Sequence, residues 1–169
     1  MICHTFTTER YLREVTLPAI ERGLSRSGRE RKAFELTGLP LVASGNDDQS
    51  LDRAIYKARQ QIAFYGSTPA YRGILELHGW GEIQKELNAL FKQSRWGHMA
   101  YLIDDKMLEA FAVVGRPMDV VRELKSRYRG IFERMTLTLD LAPNQLAEII
   151  DTLRVEWRGE GRLGGGGEV

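Results

Sequence analysis

His4 is the residue of this sequence best suited to chemistry near neutral pH, because its imidazole can donate, accept or transfer a proton there. It lies in a short β-prone run at residues 1–6, and Thr5 follows it directly. If that run is a strand of a parallel β/α fold, both side chains reach the face where such folds carry their active sites. The corresponding candidates after two later predicted strands are Ser44, Asn46 and Asp140. A histidine satisfied by neighbouring backbone groups is the alternative interpretation of His4.

A second group of candidates lies in residues 62–81, where aromatic and ionisable side chains are concentrated. Its pocket candidates are Tyr65, Tyr71, Arg72 and Trp80. If the segment follows a barrel strand, the rings of these residues would wall a flat cofactor or an apolar substrate. The alternative is a small helical subdomain in which the same rings pack only against one another.

Motifs for phosphate or metal binding are out of context or missing. Residues 159–164 fit the pattern G-x-G-x-x-G, but that pattern needs a strand before it and a helix after it. Here a predicted helix precedes it, so we interpret residues 158–169 as a disordered Gly-rich tail. The three histidines are scattered and no C-x-x-C or H-E-x-x-H occurs, so the sequence predicts no metal site.

The composition is that of an ordinary soluble domain. The 169 residues include 24 Lys and Arg against 23 Asp and Glu, and 43% are hydrophobic. A net charge of +1 does not favour capture of nucleic acid or of an anionic membrane. A single cysteine, the lack of a signal-peptide pattern and the lack of a long apolar run all favour a cytoplasmic protein.

The elements that must position the candidates alternate between strand and helix. The predicted strands cover residues 2–6, 34–43 and 135–141. The predicted helices cover residues 9–24, 49–65, 70–78, 82–92, 96–114, 117–128 and 143–157. We expect a kink or a restart after Thr16 because Pro18 falls inside the first helix, and Asp104 and Asp105 form an internal cap.

Three strands that are each followed by helix predict parallel β/α units. Three strands make a poor sheet when both faces must be covered, and a closed (β/α)₈ barrel takes about 250 residues. We therefore expect an α/β fold that is the C-terminal portion of a TIM barrel, with about three β/α units and a helical insertion. On this interpretation the N-terminal half of the barrel is absent from the chain.

Three stretches resemble the C-terminal half of the luciferase-like oxidoreductase family: HTFTTERYLREVTLPAIERGLSRSGR, ARQQIAFYGSTPAYRGILELHGWGEIQKEL and LIDDKMLEAFAVVGRPMDVVRELKSRY. The most similar branch is the deazaflavin-dependent one, which uses coenzyme F-420. The resemblance implies a (β/α)₈ barrel that transfers a hydride between a deazaflavin or flavin and an unidentified organic substrate. It makes residues 1–157 a partial luciferase-like TIM-barrel domain, followed by the tail.

The resemblance also implies roles for individual residues. It puts His4 at the end of the sixth strand of the family, facing the substrate, and Tyr65, Tyr71 and Arg72 in an inserted segment that helps to roof the pocket. It assigns no catalytic base in this half. Much of the cofactor cradle of the family would lie before residue 1, so we expect the chain alone to be inactive.

Three hypotheses stay open at this point. The first is part of an F-420-dependent oxidoreductase with a small-molecule substrate, and the second is an FMN-dependent luciferase-like monooxygenase. The third is a truncated, non-enzymatic product that self-associates, because open edges of a parallel sheet favour pairing with another chain. A homo-oligomer is expected in each case.

Overall fold

The computed structural model of the chain describes residues 1–138, 146–147 and 149–152. The α-helices are α1 (Glu9–Tyr11), α2 (Leu17–Ser27), α3 (Asp48–Gly66), α4 (Arg72–Leu77), α5 (Ile83–Lys92), α6 (Trp96–Tyr101), α7 (Asp105–Phe111) and α8 (Pro117–Tyr128). The strands are β1 (Thr37–Gly38), β2 (Leu41–Ser44), β3 (Ala112–Gly115) and β4 (Arg134–Met135). A π-helical turn (Leu12–Thr16) joins α1 to α2, and 3₁₀ turns occupy Arg31–Ala33 and Pro69–Tyr71.

The strands pair in parallel. β1 pairs with β4, with Thr37 opposite Arg134, and β2 pairs with β3. The first residues of the chain pair with β1 through an isolated parallel bridge between Ile2 and Thr37. In this bridge the Cys3 amide donates to the Thr37 carbonyl, and the Thr37 amide donates to the Met1 carbonyl, each at 2.8 Å. The parallel pairing confirms the prediction of β/α units. The strand predicted over residues 2–6 is reduced to the bridge at Ile2, and in the described part of the strand predicted over 135–141 only Met135 is strand.

The strand predicted over residues 34–43 is present but interrupted. β1 ends at Gly38 and β2 begins at Leu41. Pro40 lies in the gap, where it has no amide hydrogen to give to a sheet ladder.

The prediction of helix over residues 96–114 is wrong for its last residues, which form β3. Val113 is fully buried, and the apolar run around it suits a buried helix as well as a buried parallel strand. Pairing with β2 makes this run a strand rather than a helix, because Leu41 lies opposite Ala112 and Val42 lies opposite Val113. The predicted cap at Asp104 is confirmed: its carboxylate accepts from the Met107 amide at 2.8 Å and begins α7.

The expected restart after Thr16 is confirmed. The π-helical turn ends at that residue, and α2 begins directly after it with Pro18 in its first turn.

The strand pair β2–β3 lies between two hydrophobic clusters, because alternate side chains of a strand point to opposite faces. Ala43 and Ala112 belong to a cluster that includes Phe6, Ile62 and Phe111. Val113 belongs to a second cluster, whose other buried members are Cys3, Leu12, Leu36, Val120, Leu124, Tyr128, Ile131 and Phe132. Burial on both faces is typical of the parallel sheet of an α/β fold.

Some predictions fall partly outside the described residues. These are the end of the third strand with Asp140, much of the helix over residues 143–157, and the tail over 158–169. Residues 146–147 and 149–152 are helical. Within the described residues, no helix is long and apolar enough to cross a bilayer.

Gly38 provides a test of the packing between β1 and the second cluster. A Cβ atom there would lie 2.3–2.7 Å from ring carbons of Phe132, which is 4% exposed. We expect Gly38→Ala to lower the free energy of unfolding by about 1–3 kcal/mol, measured by urea denaturation. Gly73→Ala in α4 is the matched control, since nothing lies within 4 Å of its Cβ position. Equal stability of the two variants would contradict the packing described here.

Candidate functional site

His4 presents an exposed imidazole immediately after the bridge between Ile2 and β1. Its Nδ1 accepts a hydrogen bond from the Phe6 amide at 3.1 Å. Because Nδ1 acts as the acceptor, the neutral ring carries its proton on Nε2. The group that His4 offers to a ligand is therefore a hydrogen-bond donor.

Two tyrosines of the insertion surround this imidazole. The ring of Tyr71 stacks on His4 with centroids 5.1 Å apart and an interplanar angle of 21°. The ring of Tyr65 meets His4 edge-on at 4.7 Å and 88°. Both tyrosines are half-buried, and their own rings lie 6.2 Å apart at 89°. We call His4, Tyr65 and Tyr71 the aromatic cluster.

Phe6 supports the aromatic cluster from the hydrophobic core. It is 2% exposed and stacks on Phe111 at 4.5 Å. Its ring also lies 5.4 Å from Tyr71 and 6.1 Å from Tyr65. The main chain between Phe6 and His4 is short, so burial of Phe6 fixes where the imidazole can lie.

Trp80 packs against the first hydrophobic cluster. Its indole stacks on His78 at 4.6 Å and 9°, and it lies 6.4 Å from Phe111. His78 Nε2 and the Thr8 hydroxyl form a hydrogen bond of 2.8 Å, although Thr8 is almost fully buried in another part of the chain. The Thr8 oxygen already accepts from the Tyr11 amide at 3.1 Å, an arrangement that favours donation of its own hydrogen to His78.

Burial lowers the pKa of His78, and the positive charge of Arg10 lowers it further. Both effects favour a neutral ring that accepts from Thr8. The link ties the N-terminal cap of α1 to the loop that carries Trp80, and it makes Trp80 part of the support of the site.

The contacts of Arg72 and Thr5 do not indicate a role in the aromatic cluster. The Arg72 guanidinium bonds to Glu76 at 2.6 Å and to Glu82 at 3.2 Å, and the hydrogen bond to Glu76 raises the pKa of Arg72. Its charge is therefore neutralised on the surface of α4. Thr5 is half-buried, and its carbonyl accepts from the Thr7 amide at 3.0 Å.

Two cavities along α3 complete the site. The first, of about 470 Å³, lies between β2 and α3 and we call it the α3 cavity. Its lining residues are Leu41, Val42, Ser44, Ser50, Arg53, Ala54, Lys57, Ala58, Gln61 and Thr138. The second, of about 370 Å³, shares Lys57 and Gln61 with it and extends to Phe64, Tyr65 and Trp96.

The sequence indicated only part of these cavities. Ser44 was a candidate as a strand-end residue, whereas Asn46, named with it, is exposed and does not line either cavity. The sequence did not single out Arg53, Lys57 and Gln61, because polar residues along one side of an amphipathic helix usually form its solvent-exposed face. Their spacing of four residues, which aligns side chains along one face, was the available signal. Among the described residues, no group of three or more His, Cys, Asp or Glu side chains is arranged to hold a metal ion.

Comparison with known protein families and sequences gives consistent matches. The family model described as luciferase-like monooxygenase matches residues 1–134. An uncharacterized protein of Mycobacterium tuberculosis is 49% identical over 142 residues, which is 84% of this chain and 42% of that protein. A 5,10-methylenetetrahydromethanopterin reductase of Archaeoglobus fulgidus is 33% identical over 143 residues, which is 80% of this chain and 41% of that protein.

A solved structure shows the same fold. The coenzyme F-420-dependent tetrahydromethanopterin reductase of Methanopyrus kandleri matches with a TM-score of 0.62 at 22% identity, over 85% of this chain and 40% of that chain. This match confirms the expected fold class, a portion of a TIM barrel. The chain spans about two fifths of the length of the relatives described above.

The partial burial of His78 predicts a pH dependence of stability. The folded-state pKa of His78 lies below its ordinary value of 6.5, so the unfolded chain binds more protons as the pH falls through that value. We expect the free energy of unfolding to decline between about pH 7.5 and pH 5.5, and His78→Gln to make this decline shallower. Urea denaturation at several pH values measures the free energy of unfolding. His98→Gln, at an exposed histidine of α6, is the control. Parallel pH profiles of stability for the wild type and His78→Gln would contradict the lowered pKa of His78.

Proposed function

Because this chain belongs to the luciferase-like monooxygenase family, we propose that it forms part of an oxidoreductase that transfers a hydride between coenzyme F-420 and an unidentified organic substrate. The relatives named above support the choice of cofactor. The Archaeoglobus fulgidus protein is named a reductase, and the Methanopyrus kandleri enzyme is described as dependent on coenzyme F-420. Since the chain spans about two fifths of the length of such relatives, the proposed activity is that of the whole enzyme, and we expect no turnover by these residues alone.

The observation that carries the proposal is the aromatic cluster. A deazaflavin is a flat ring system with carbonyl groups, and it needs an aromatic wall and hydrogen-bond donors. Tyr65 and Tyr71 supply aromatic rings, and His4 Nε2 supplies a hydrogen-bond donor next to them. The residues present therefore fit such a ring. When bound, coenzyme F-420 supplies a two-electron hydride carrier.

The proposed roles follow from the contacts of each side chain. Tyr71 and Tyr65 bind the ring and exclude water from it, and His4 donates a hydrogen bond to a carbonyl of the ring or of the substrate. Phe6 and Trp80 are positioning residues that act through the core. Arg72 is not proposed as a ligand of the cofactor, because Glu76 and Glu82 engage its guanidinium.

An FMN-dependent monooxygenase is the second candidate function, and the description of the matching family as monooxygenases favours it. The aromatic cluster would accept the ring of FMN on the same physical grounds. We place coenzyme F-420 first because the Methanopyrus kandleri reductase is described as dependent on it. The self-association predicted from the sequence stays a proposal, supported by Ile2, which is 72% exposed and makes an isolated bridge to β1.

Substitution of Tyr71 tests the proposed ring wall. The purified chain is titrated with coenzyme F-420 and, separately, with FMN, and the fluorescence of each cofactor is followed. Because the chain spans about two fifths of the length of its relatives, we expect weak binding, with a lower dissociation constant for coenzyme F-420 than for FMN. We expect Tyr71→Ala to weaken the binding of coenzyme F-420 by about tenfold through the loss of one aromatic contact. Tyr101→Ala removes a tyrosine that is 78% exposed on α6 and serves as the matched control.

Three results of this titration would count against the proposal. Tighter binding of FMN would favour the monooxygenase. Equal losses in Tyr71→Ala and Tyr101→Ala would mean that the ring does not contact the aromatic cluster. If neither cofactor binds a folded sample at protein concentrations up to the solubility limit, the aromatic cluster no longer supports the proposed function.

A further inference from the structure

The two tyrosines of the aromatic cluster lie on either side of a single turn of the chain. Tyr65 belongs to the last turn of α3, and Tyr71 ends the 3₁₀ turn that follows. Between them, the Thr68 amide donates to the Tyr65 carbonyl and the Tyr71 amide donates to the Thr68 carbonyl, each at 3.0 Å. Pro69 follows Thr68 and restricts the backbone of both residues. The position of Tyr71 on His4 therefore depends on where this short turn is held.

The turn is held at Ser67, which is the C-terminal cap of α3 and is almost fully buried. Its carbonyl accepts two hydrogen bonds from α5: Gln84 Nε2 donates to it at 3.0 Å, and Asn88 Nδ2 donates to it at 2.9 Å. Carbonyl groups at the end of a helix have no partner within the helix, and each carbonyl oxygen has two lone pairs. We call Gln84 and Asn88 the amide pair, and together they satisfy this carbonyl.

The face of α5 that carries the amide pair also packs against the end of α3. Gln84, Leu87 and Asn88 are three and four residues apart, so their side chains lie on one side of the helix. A Cβ atom at Gly66 would lie 3.1 Å from Leu87 and 3.6 Å from Phe6. Close packing at Gly66 and hydrogen bonds at the next residue therefore hold the same point of the chain.

The hydrogen bonds of the amide pair do something that the packing of Leu87 cannot do. Gln84 is 5% exposed, and burial of an amide side chain is unfavourable unless its polar atoms are hydrogen-bonded. Hydrogen bonds are directional, whereas apolar contacts are not. The amide pair therefore fixes the orientation of the Ser67 carbonyl, and with it the direction in which the turn leaves α3.

We propose that Gln84 and Asn88 are positioning residues of the candidate site, which act through Ser67 and Tyr71 to hold the aromatic cluster in shape. Their side-chain amides engage Ser67, so they affect a ligand through the turn rather than as ligands themselves. The consequence for a bound ring rests on the proposed function. The consequence for the stacking of Tyr71 on His4 rests on these hydrogen bonds alone.

The first experiment uses the free chain and needs no cofactor. An aromatic ring shifts the NMR resonances of protons that lie over its face, so the ring protons of His4 report on the stacking of Tyr71. Gln84→Met keeps the size of the side chain and removes its donor. We expect it to move the His4 resonances in the same direction as Tyr71→Ala does, and the double variant with Asn88→Leu to move them further. Gln49→Met, at an exposed glutamine in the first turn of α3, is the matched control and should leave them unchanged.

The second experiment is a double-mutant cycle read by the fluorescence titration with coenzyme F-420. We expect Gln84→Met to raise the dissociation constant about threefold in the wild-type chain and to have no further effect in Tyr71→Ala. A residue that acts through Tyr71 has nothing left to position once that ring is removed. A general loss of stability would instead weaken binding in both backgrounds. Thermal unfolding curves show that each variant is folded at the temperature of the titration.

The outcomes separate the positioning role from the proposed function. Shifted His4 resonances without binding of either cofactor would support the positioning role and count against the proposed function. Unchanged His4 resonances in a folded double variant of the amide pair would overturn the role, and so would an equal shift in Gln49→Met. A loss of cofactor binding that is as large in Tyr71→Ala as in the wild type would also overturn it. Asn88→Leu alone, at a half-buried position, carries the same test if the double variant does not fold.

Discussion

The burial of Phe6 is the constraint on which the rest of the site depends. Its ring occupies the first hydrophobic cluster against Phe111, and its amide donates to the imidazole two residues before it. A large aromatic side chain that is removed from water holds its position far more firmly than an exposed imidazole can. His4 is therefore held at the surface by a residue that cannot leave the core, and Tyr65 and Tyr71 are packed against the same anchor.

The strand pair β2–β3 extends this constraint to the other end of the site. Its alternate residues are buried in two clusters, so a slip by one residue would move each set of side chains into the cluster that packs the other set. α3 packs along β2, and the same helix carries Arg53 near its start and Tyr65 near its end. A rigid helix packed on this strand pair thus fixes the position of Tyr65 better than a loop would.

Much of the fold and part of the candidate site could be predicted from the sequence. The period of the apolar residues gave α2, α3 and α8, and the caps at Asp104 and Thr8 were readable because they depend on neighbours three residues away. The conjunction of His4 with Tyr65 and Tyr71 followed from the family resemblance and from the rule that barrel sites lie at strand ends.

What could not be predicted depends on contacts between residues far apart in the chain. The run Ala112–Gly115 became a strand only through its register with β2, which local periodicity does not contain. The bond between Thr8 and His78 joins residues 70 positions apart, so no spacing announces it. Arg72, by contrast, could have been recognised as engaged, since Glu76 lies one helical turn away.

The most direct test of the central claim is the imidazole of His4 itself, measured by nitrogen-15 NMR of the histidine side chains with and without coenzyme F-420. The three histidines are assigned by replacing each with glutamine in turn. We predict that the neutral form of His4 carries its proton on Nε2, and that its resonances change on addition of the cofactor while those of His98 stay fixed. A proton on Nδ1, or a cofactor that shifts His98 but not His4, would contradict the placement of the ring against the aromatic cluster.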